Sequence, residues 1–273
     1  MKKWTVGLVL ATILVLFVGC GNSKKDDNTN KVKIGLVGQN NEVWDYVKEE
    51  LKKDGIDLEL VVFDDYNQPN AALAEGELDL NSFQHQSFLD SYNQDHGTKL
   101  VAIGKTYIAP LGIYSEKVKD ISEIKEGAKI AIPNDTTNGG RAILLLQTAG
   151  LIKVDKDAGL MPTVNDITEN KLNLKIEELD AAQTARALPD VTASIVNGNM
   201  AVDAGLNPLR EAIYLEPIDE TSDPYINMIV ANEKDKDKEI FQKIIKAYQT
   251  KEAAKIIEET TNGSAMPAWE ESK

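Results

Sequence analysis

Residues 31–63 read KVKIGLVGQNNEVWDYVKEELKKDGIDLELVVF, and they set the fold class. KVKIGLVG (31–38) is β-rich and alternating, the pattern of a strand. EVWDYVKEELKKDG (42–55) places Val43, Trp44, Val47 and Leu51 at helical spacing, and Gly55 closes it. IDLELVVF (56–63) is a second strand. Parallel strands need a crossover of a dozen or more residues, usually a helix, so this succession predicts a βαβ unit.

Working outward, Pro69 opens a short helix, PNAALAEG, and DLNSF (79–83) follows. FQHQSFLDSY (83–92) begins a helix around His85. KLVAIGKTYIAPLGIYS (99–115) reads as one long strand, interrupted by Pro110 and Gly112. A second block starts at Ile121, with strands AKIAIPN (128–134), LNLKIEEL (172–179) and VTASIVN (191–197). Between them lie helices GGRAILLLQTAG (139–150) and AAQTARAL (181–188). EAIYLEP (211–217) and YINMIVANE (225–233) follow, and the pattern is helical again from Lys236 to Thr260. Strands alternating with helices predict an α/β fold with largely parallel sheets. Two such blocks predict two lobes: residues 31–115 with 226–273 in one, 116–225 in the other, and a ligand cleft between them.

The ends set the compartment. MKKWTVGLVLATILVLFVGC starts with Lys2 and Lys3, runs apolar from Val6 to Val18 and ends in Gly19-Cys20, which reads as a signal peptide over 1–19. The apolar run is short for a spanning helix. Cys20 is the only cysteine, so no intramolecular disulfide exists, and its place reads as a lipidation site. Phe17 stands where the usual lipoprotein box has leucine. Residues 20–30 then form a polar tether. The expected product is a lipid-anchored membrane protein facing the extracytoplasmic side. Of 30 basic residues the leader takes two, leaving 28 against 44 acidic ones, a net charge of −16. Such a field does not seek nucleic acid.

Four stretches carry a family resemblance: DDYNQPNAAL (64–73), GELDLNSFQHQSFLD (76–90), IAIPNDTTNGGRAILLL (130–146) and SDPYINMIV (222–230). In this order they resemble the methionine-binding lipoproteins of the MetQ/NlpA type, the substrate-binding components of an ABC importer. The resemblance runs from about Lys31 to the C-terminus. It implies a two-lobed periplasmic-binding-protein fold with two linking segments, closing on a free amino acid, usually L-methionine. It also implies a partner permease and ATPase, no cofactor, and action as a monomer. Thr136, Ser87-Phe88 and Met200 depart from residues frequent in the family.

A free amino acid presents a carboxylate, an ammonium and a side chain. Arginine meets a carboxylate best, because its planar fork can bind both oxygens. The chain has three arginines: 141, 186 and 210. Arg141 follows Asn138-Gly-Gly at an expected helix start, where free N–H groups favour an anion and Gly139 and Gly140 would let a ligand approach the backbone. The resemblance assigns Arg141 and Asn138 to the ligand's main-chain groups. By spacing alone, a solvated first-turn arginine with Asn138 as an N-cap serves equally. For the ammonium the resemblance points to Asn227 and Asn197, with Asn199 an open substitute for Asn197. For the side chain it points to Tyr66 and Phe83, with His85 as a hydrogen-bonding wall. Trp44 faces either the cleft or the core, and its helical spacing favours the core. Phe88 and Tyr92 are expected to anchor their helix.

As a metal ligand His85 lacks company: His96, the only other histidine, lies eleven residues on, about 16 Å along a continuous helix. No metal site is expected. Ser122-Glu-Ile-Lys125 has a Ser-x-x-Lys spacing seen in acyl-transfer enzymes, but Gly-x-Ser-x-Gly and His-Glu-x-x-His are absent from the sequence. The expectation is a binding protein, not an enzyme.

Overall fold

The computed structural model describes residues 30–269; the expected leader, Cys20 and the tether as far as Thr29 lie outside them. In chain order come β1 (Lys31–Val37), α1 (Glu42–Lys53), β2 (Asp57–Phe63), α2 (Pro69–Glu75), β3 (Leu80–His85), α3 (Gln86–His96), β4 (Leu100–Lys105), β5 (Tyr107–Ile108) and β6 (Gly112–Tyr114). Next are β7 (Lys129–Pro133), α4 (Thr136–Thr148), β8 (Lys153–Val154), β9 (Ile167–Glu169), β10 (Lys175–Leu179), α5 (Ala181–Thr184), β11 (Ala193–Val196), α6 (Gly198–Asp203), α7 (Pro208–Glu211) and β12 (Ala212–Leu215). The chain continues with β13 (Asn227–Asn232), α8 (Glu239–Tyr248), α9 (Lys251–Thr260) and β14 (Met266–Pro267).

Two five-stranded sheets form the lobes, ordered β2-β1-β3-β13-β4 and β10-β7-β11-β6-β12. β2, β1 and β3 run parallel, as do β10, β7 and β11. β13 is antiparallel to β3 and β4, and β6 to β11 and β12, so the sheets are mixed rather than largely parallel. β6 and β13 are the strands by which the chain enters the second sheet and returns to the first.

The run 99–115 is three strands, not one. β4 belongs to the first sheet and β6 to the second, so the crossing lies between β5 and β6 and the expected boundary at residue 115 falls too late. Pro110 has no N–H for a ladder, and the chain changes sheets there. The return crossing runs from Glu216 to Ile226. The helical run after Lys236 is also divided: the Thr250 hydroxyl accepts from Ala253 N at 3.1 Å and caps α9.

β3 is a strand that alternation of apolar residues does not reveal. Its buried side chains include Asn81 and Gln84, which pair with Asn70 of α2. Asn81 Nδ2 donates to Asn70 Oδ1 at 2.8 Å, and Asn70 Nδ2 to Gln84 Oε1 at 2.8 Å. Satisfied in this way, buried amides cost little. They fasten α2 to the strand that carries Phe83 and His85.

On one side of the first sheet, Trp44, Val47 and Leu51 of α1 meet Phe241, Ile244, Tyr248 and Ile257 of α8 and α9. Each such side chain contributes roughly 1.5–3 kcal/mol by leaving water. The second lobe packs Ile143 and Leu146 of α4 against Ile130, Ile132 and Ile195 of its sheet. A further cluster joins Val37 and Tyr66 of the first lobe to Tyr114, Val196 and Met200 of the second. Polar bonds also cross between lobes. Asn67 Nδ2 donates to Asp180 Oδ2 at 3.1 Å, and Asp203 accepts from Gln39 N and Asn40 N at 3.2 and 3.0 Å. Gly38, at φ +91°, permits that approach, since a Cβ there would overlap the Asp203 carboxylate. The lobes are closed on each other. Among the described residues no helix is long and apolar enough to cross a membrane.

Candidate functional site

Between the lobes lies a narrow cavity lined by residues of both. Tyr66, Phe83, His85 and Phe88 line it from the first lobe, and Asn138, Arg141, Asn197 and Asn199 from the second. Asn227, Tyr107, Ala109 and Leu111 complete it near the crossings.

The first-lobe wall follows from strand geometry. Phe83 and His85 are two apart on β3 and share a face. The Phe83 ring stacks on Tyr66 at 5.8 Å between centroids, and Phe88 meets Phe83 edge-on at 5.7 Å. Phe88 therefore belongs to the wall, whereas an anchoring role had been expected. It sits one turn into α3, and the helix start turns it toward the cleft.

His85 caps α3: its Nδ1 accepts from Phe88 N at 3.1 Å. The proton is thereby assigned to Nε2, which faces Asn138 Oδ1 at 3.4 Å across the cleft. Burial, helped by the nearby Arg141 charge, pushes the imidazole down to about 3, so it is neutral near pH 7. Among the described residues no three His, Cys, Asp or Glu gather as metal ligands.

Asn138 is a hub rather than a free amide. Its Oδ1 also accepts from Asn197 Nδ2 at 2.7 Å, while its Nδ2 donates to both oxygens of Asp135 at 3.0 Å. Asp135 caps α4, accepting from Asn138 N at 2.9 Å. Helix α4 thus begins at Thr136, and the N–H groups at its mouth face their own carboxylate rather than a ligand anion. Gly139 and Gly140 serve packing instead of ligand approach. A Cβ on Gly139 would lie 2.8 Å from the Pro133 carbonyl oxygen, and one on Gly140 2.6 Å from Met161 Cα.

Arg141, one turn further along, is buried. Its fork is already occupied: Nε donates to Glu216 Oε1 at 2.8 Å and Nη2 to Glu216 Oε2 at 2.5 Å. Nη2 also donates to the Ala109 carbonyl at 3.0 Å, and Tyr225 lies beneath the guanidinium at 4.2 Å. This corrects the expected two-oxygen grip. Nη1 is the guanidinium nitrogen without a hydrogen-bond partner among the described residues.

The asparagines separate cleanly. Asn199 Oδ1 accepts from the Tyr66 hydroxyl at 2.6 Å. Asn197 is 7% exposed, and its Oδ1 has no partner among the described residues. A buried, orphaned carbonyl costs about 1–3 kcal/mol unless something meets it. Asn227 stands opposite His85 where β13 pairs with β3, and it also lines the cavity.

Trp44 is not brought to the site. It is buried in the first-lobe core with its ring 4.7 Å from that of Tyr248, as the 44, 47, 51 spacing dictates. Ser122 is also remote: it lies in a short 3-10 turn, and its hydroxyl is bonded to Asp120 at 2.5 Å. Sequence reasoning missed Glu216, Tyr225 and Tyr107. An acid between Leu215 and Pro217, at the end of an apolar strand, was the one available signal for Glu216.

Two α/β lobes joined by two crossings, closed on an aromatic and amide-lined cavity, define the class of two-lobed solute-binding proteins. Residues 32–269 match the family model described as NlpA lipoprotein, and the chain belongs to that family. The chain is similar to the D-methionine-binding lipoprotein MetQ of Escherichia coli (strain K12), at 42% identity over 97% of this chain and 96% of that protein. Among solved structures it is similar to a nutrient binding protein from Burkholderia cenocepacia bound to methionine. That likeness has 46% identity and a TM-score of 0.84, and covers 87% of this chain and 100% of the other. It is also similar to the substrate binding protein of a methionine transporter from Streptococcus pneumoniae, at 42% identity and a TM-score of 0.84, covering 88% and 96%.

Proposed function

We propose that the chain captures methionine between its lobes on the outer side of a membrane and delivers it to an ABC importer. The carrying observation is the orphaned Oδ1 of Asn197 in the same cavity as Arg141 and the rings. The acid end of the ligand meets Nη1 of Arg141. The ammonium meets the carbonyls of Asn197 and Asn227. The thioether, polarizable and apolar, lies against Tyr66, Phe83 and Phe88, where sulfur–aromatic contact is favourable. Relatives whose names carry methionine support this reading.

Bonds between Tyr66 and Asn199 and between His85 and Asn138 span the lobes beside the cavity, so a ligand touching both walls favours closure. The protein acts as a monomer that binds without chemistry, and a lipid on Cys20 holds it to the membrane. Isothermal calorimetry with L-methionine, D-methionine, methionine sulfoxide and leucine tests the ligand. One-to-one binding with a methionine enantiomer tightest is expected; tighter binding of leucine or the sulfoxide would reject it. Cys20→Ala should release the protein from membranes.

A further inference from the structure

Arg141 is held by both crossings between the lobes. Ala109 and Leu111 belong to the outbound crossing, Glu216 and Tyr225 to the return. Glu216 joins them: its Oε2 accepts from Leu111 N at 2.9 Å, and its own N–H donates to the Leu111 carbonyl at 2.9 Å. Its side chain is 15% exposed, so the carboxylate is largely withdrawn from water beside the guanidinium. Three of the guanidinium's hydrogen bonds are consumed there, two by Glu216 and one by Ala109.

Charge balance follows from this pairing. The cavity lining contains no aspartate or glutamate, and the acceptors open to an ammonium are neutral amides. His85 is neutral. Asp135 stands behind Asn138 and reaches the cavity through that amide. With Glu216 cancelling Arg141, a zwitterion enters without adding net charge, whereas an anion leaves a buried negative charge uncompensated. Without Glu216, an acid alone would satisfy the arginine.

We propose that Glu216 is a positioning and charge-selecting residue: it orients Arg141 so that only Nη1 faces the cavity, and it makes the site prefer a ligand of zero net charge over an anion. This rests on the amino-acid-binding reading above. Two variants separate positioning from charge. Glu216→Gln keeps an acceptor toward Nε and removes the charge; Glu216→Asp keeps the charge and shortens the arm.

Calorimetry on the full chain with L-methionine and N-acetyl-L-methionine, an anion, gives the test. Glu216→Gln should shift the preference toward the acetylated ligand by about tenfold. Glu216→Asp should weaken L-methionine by about tenfold and leave that preference within about twofold. Equal changes for both ligands in Glu216→Gln would overturn the proposal. A measurement on the unaltered chain stands if a variant fails to fold. Of the three arginines Arg186 and Arg210 are exposed and Arg141 is buried, so a slowly exchanging Nε–H is assigned to Arg141 without any variant. Slow exchange with water is expected of a proton held by Glu216, and rapid exchange would overturn its positioning role. Failure of the unaltered chain to bind either methionine enantiomer would strike the ligand reading instead, and the exchange measurement would still decide the case of Glu216.

Discussion

On the first-lobe side of the cavity, Tyr66, Phe83, Phe88 and His85 touch ring to ring, with centroids 5.7–6.3 Å apart. On the second-lobe side, Asn138, Arg141 and Asn199 are each bound to a named partner before any ligand enters, and the carbonyl of Asn197 is left over. The rings form an apolar surface whose contacts are individually weak and mutually replaceable. The polar groups form a chain in which removing one member strands another. Tolerance to change should therefore be low on the second-lobe side and high on the first.

Arg141→Ala tests that contrast hardest. It deletes the cation and leaves Glu216 buried and unpaired, so L-methionine affinity should fall about 1,000-fold and the melting temperature should drop. A calorimetric loss below tenfold would show that the grip is not central. Asn197→Ala comes next, at about 10- to 100-fold, because it removes the acceptor proposed for the ammonium. Asn199→Ala should cost only a few-fold, since it loses the Tyr66 bond and, in the proposed reading, no ammonium acceptor. A reversal of that order would exchange the two assignments.

Acid should act through His85. The unfolded chain takes up a proton as pH falls through about 6.5, whereas the buried ring refuses one until about 3. Stability from His85 is thus complete above pH 6.5 and falls by about 1.4 kcal/mol per unit below it. Burial pushes Asp135 and Asp203 up, which opposes this trend in the acidic range. Comparing urea midpoints of the unaltered chain and His85→Gln at pH 7 and pH 5 isolates the histidine, and the variant should lose less between them. Single-ring substitutions should sit with Asn199→Ala among the small binding effects. Phe83→Leu should weaken L-methionine about 3- to 10-fold. Trp44→Phe should leave its affinity unchanged while lowering the melting temperature, and a loss of affinity there would return Trp44 to the site.

Much of the fold was legible where a local period reports burial. β1, α1 and β2 fall within two residues of the spans read from residues 31–63. β3 escaped because its buried face is built from Asn81 and Gln84, whose partner Asn70 lies on another element. The two-sheet character of 99–115 escaped because a strand pattern does not say which sheet the strand joins. At the site, residue type pointed to Arg141 and the rings. The occupancy of the arginine fork did not show, because Glu216 is 75 residues away and meets it only through the crossings. Nor did the sequence show that Tyr66, 133 residues away, holds Asn199 while the Asn197 carbonyl is left over.

A crystal structure with L-selenomethionine, located by the anomalous signal of its selenium, tests the central claim most directly. Selenium among Tyr66, Phe83 and Phe88, with the carboxylate at Nη1 of Arg141, is the result expected. Selenium beside Arg141 and the asparagines, or a ligand outside the cleft, would contradict it.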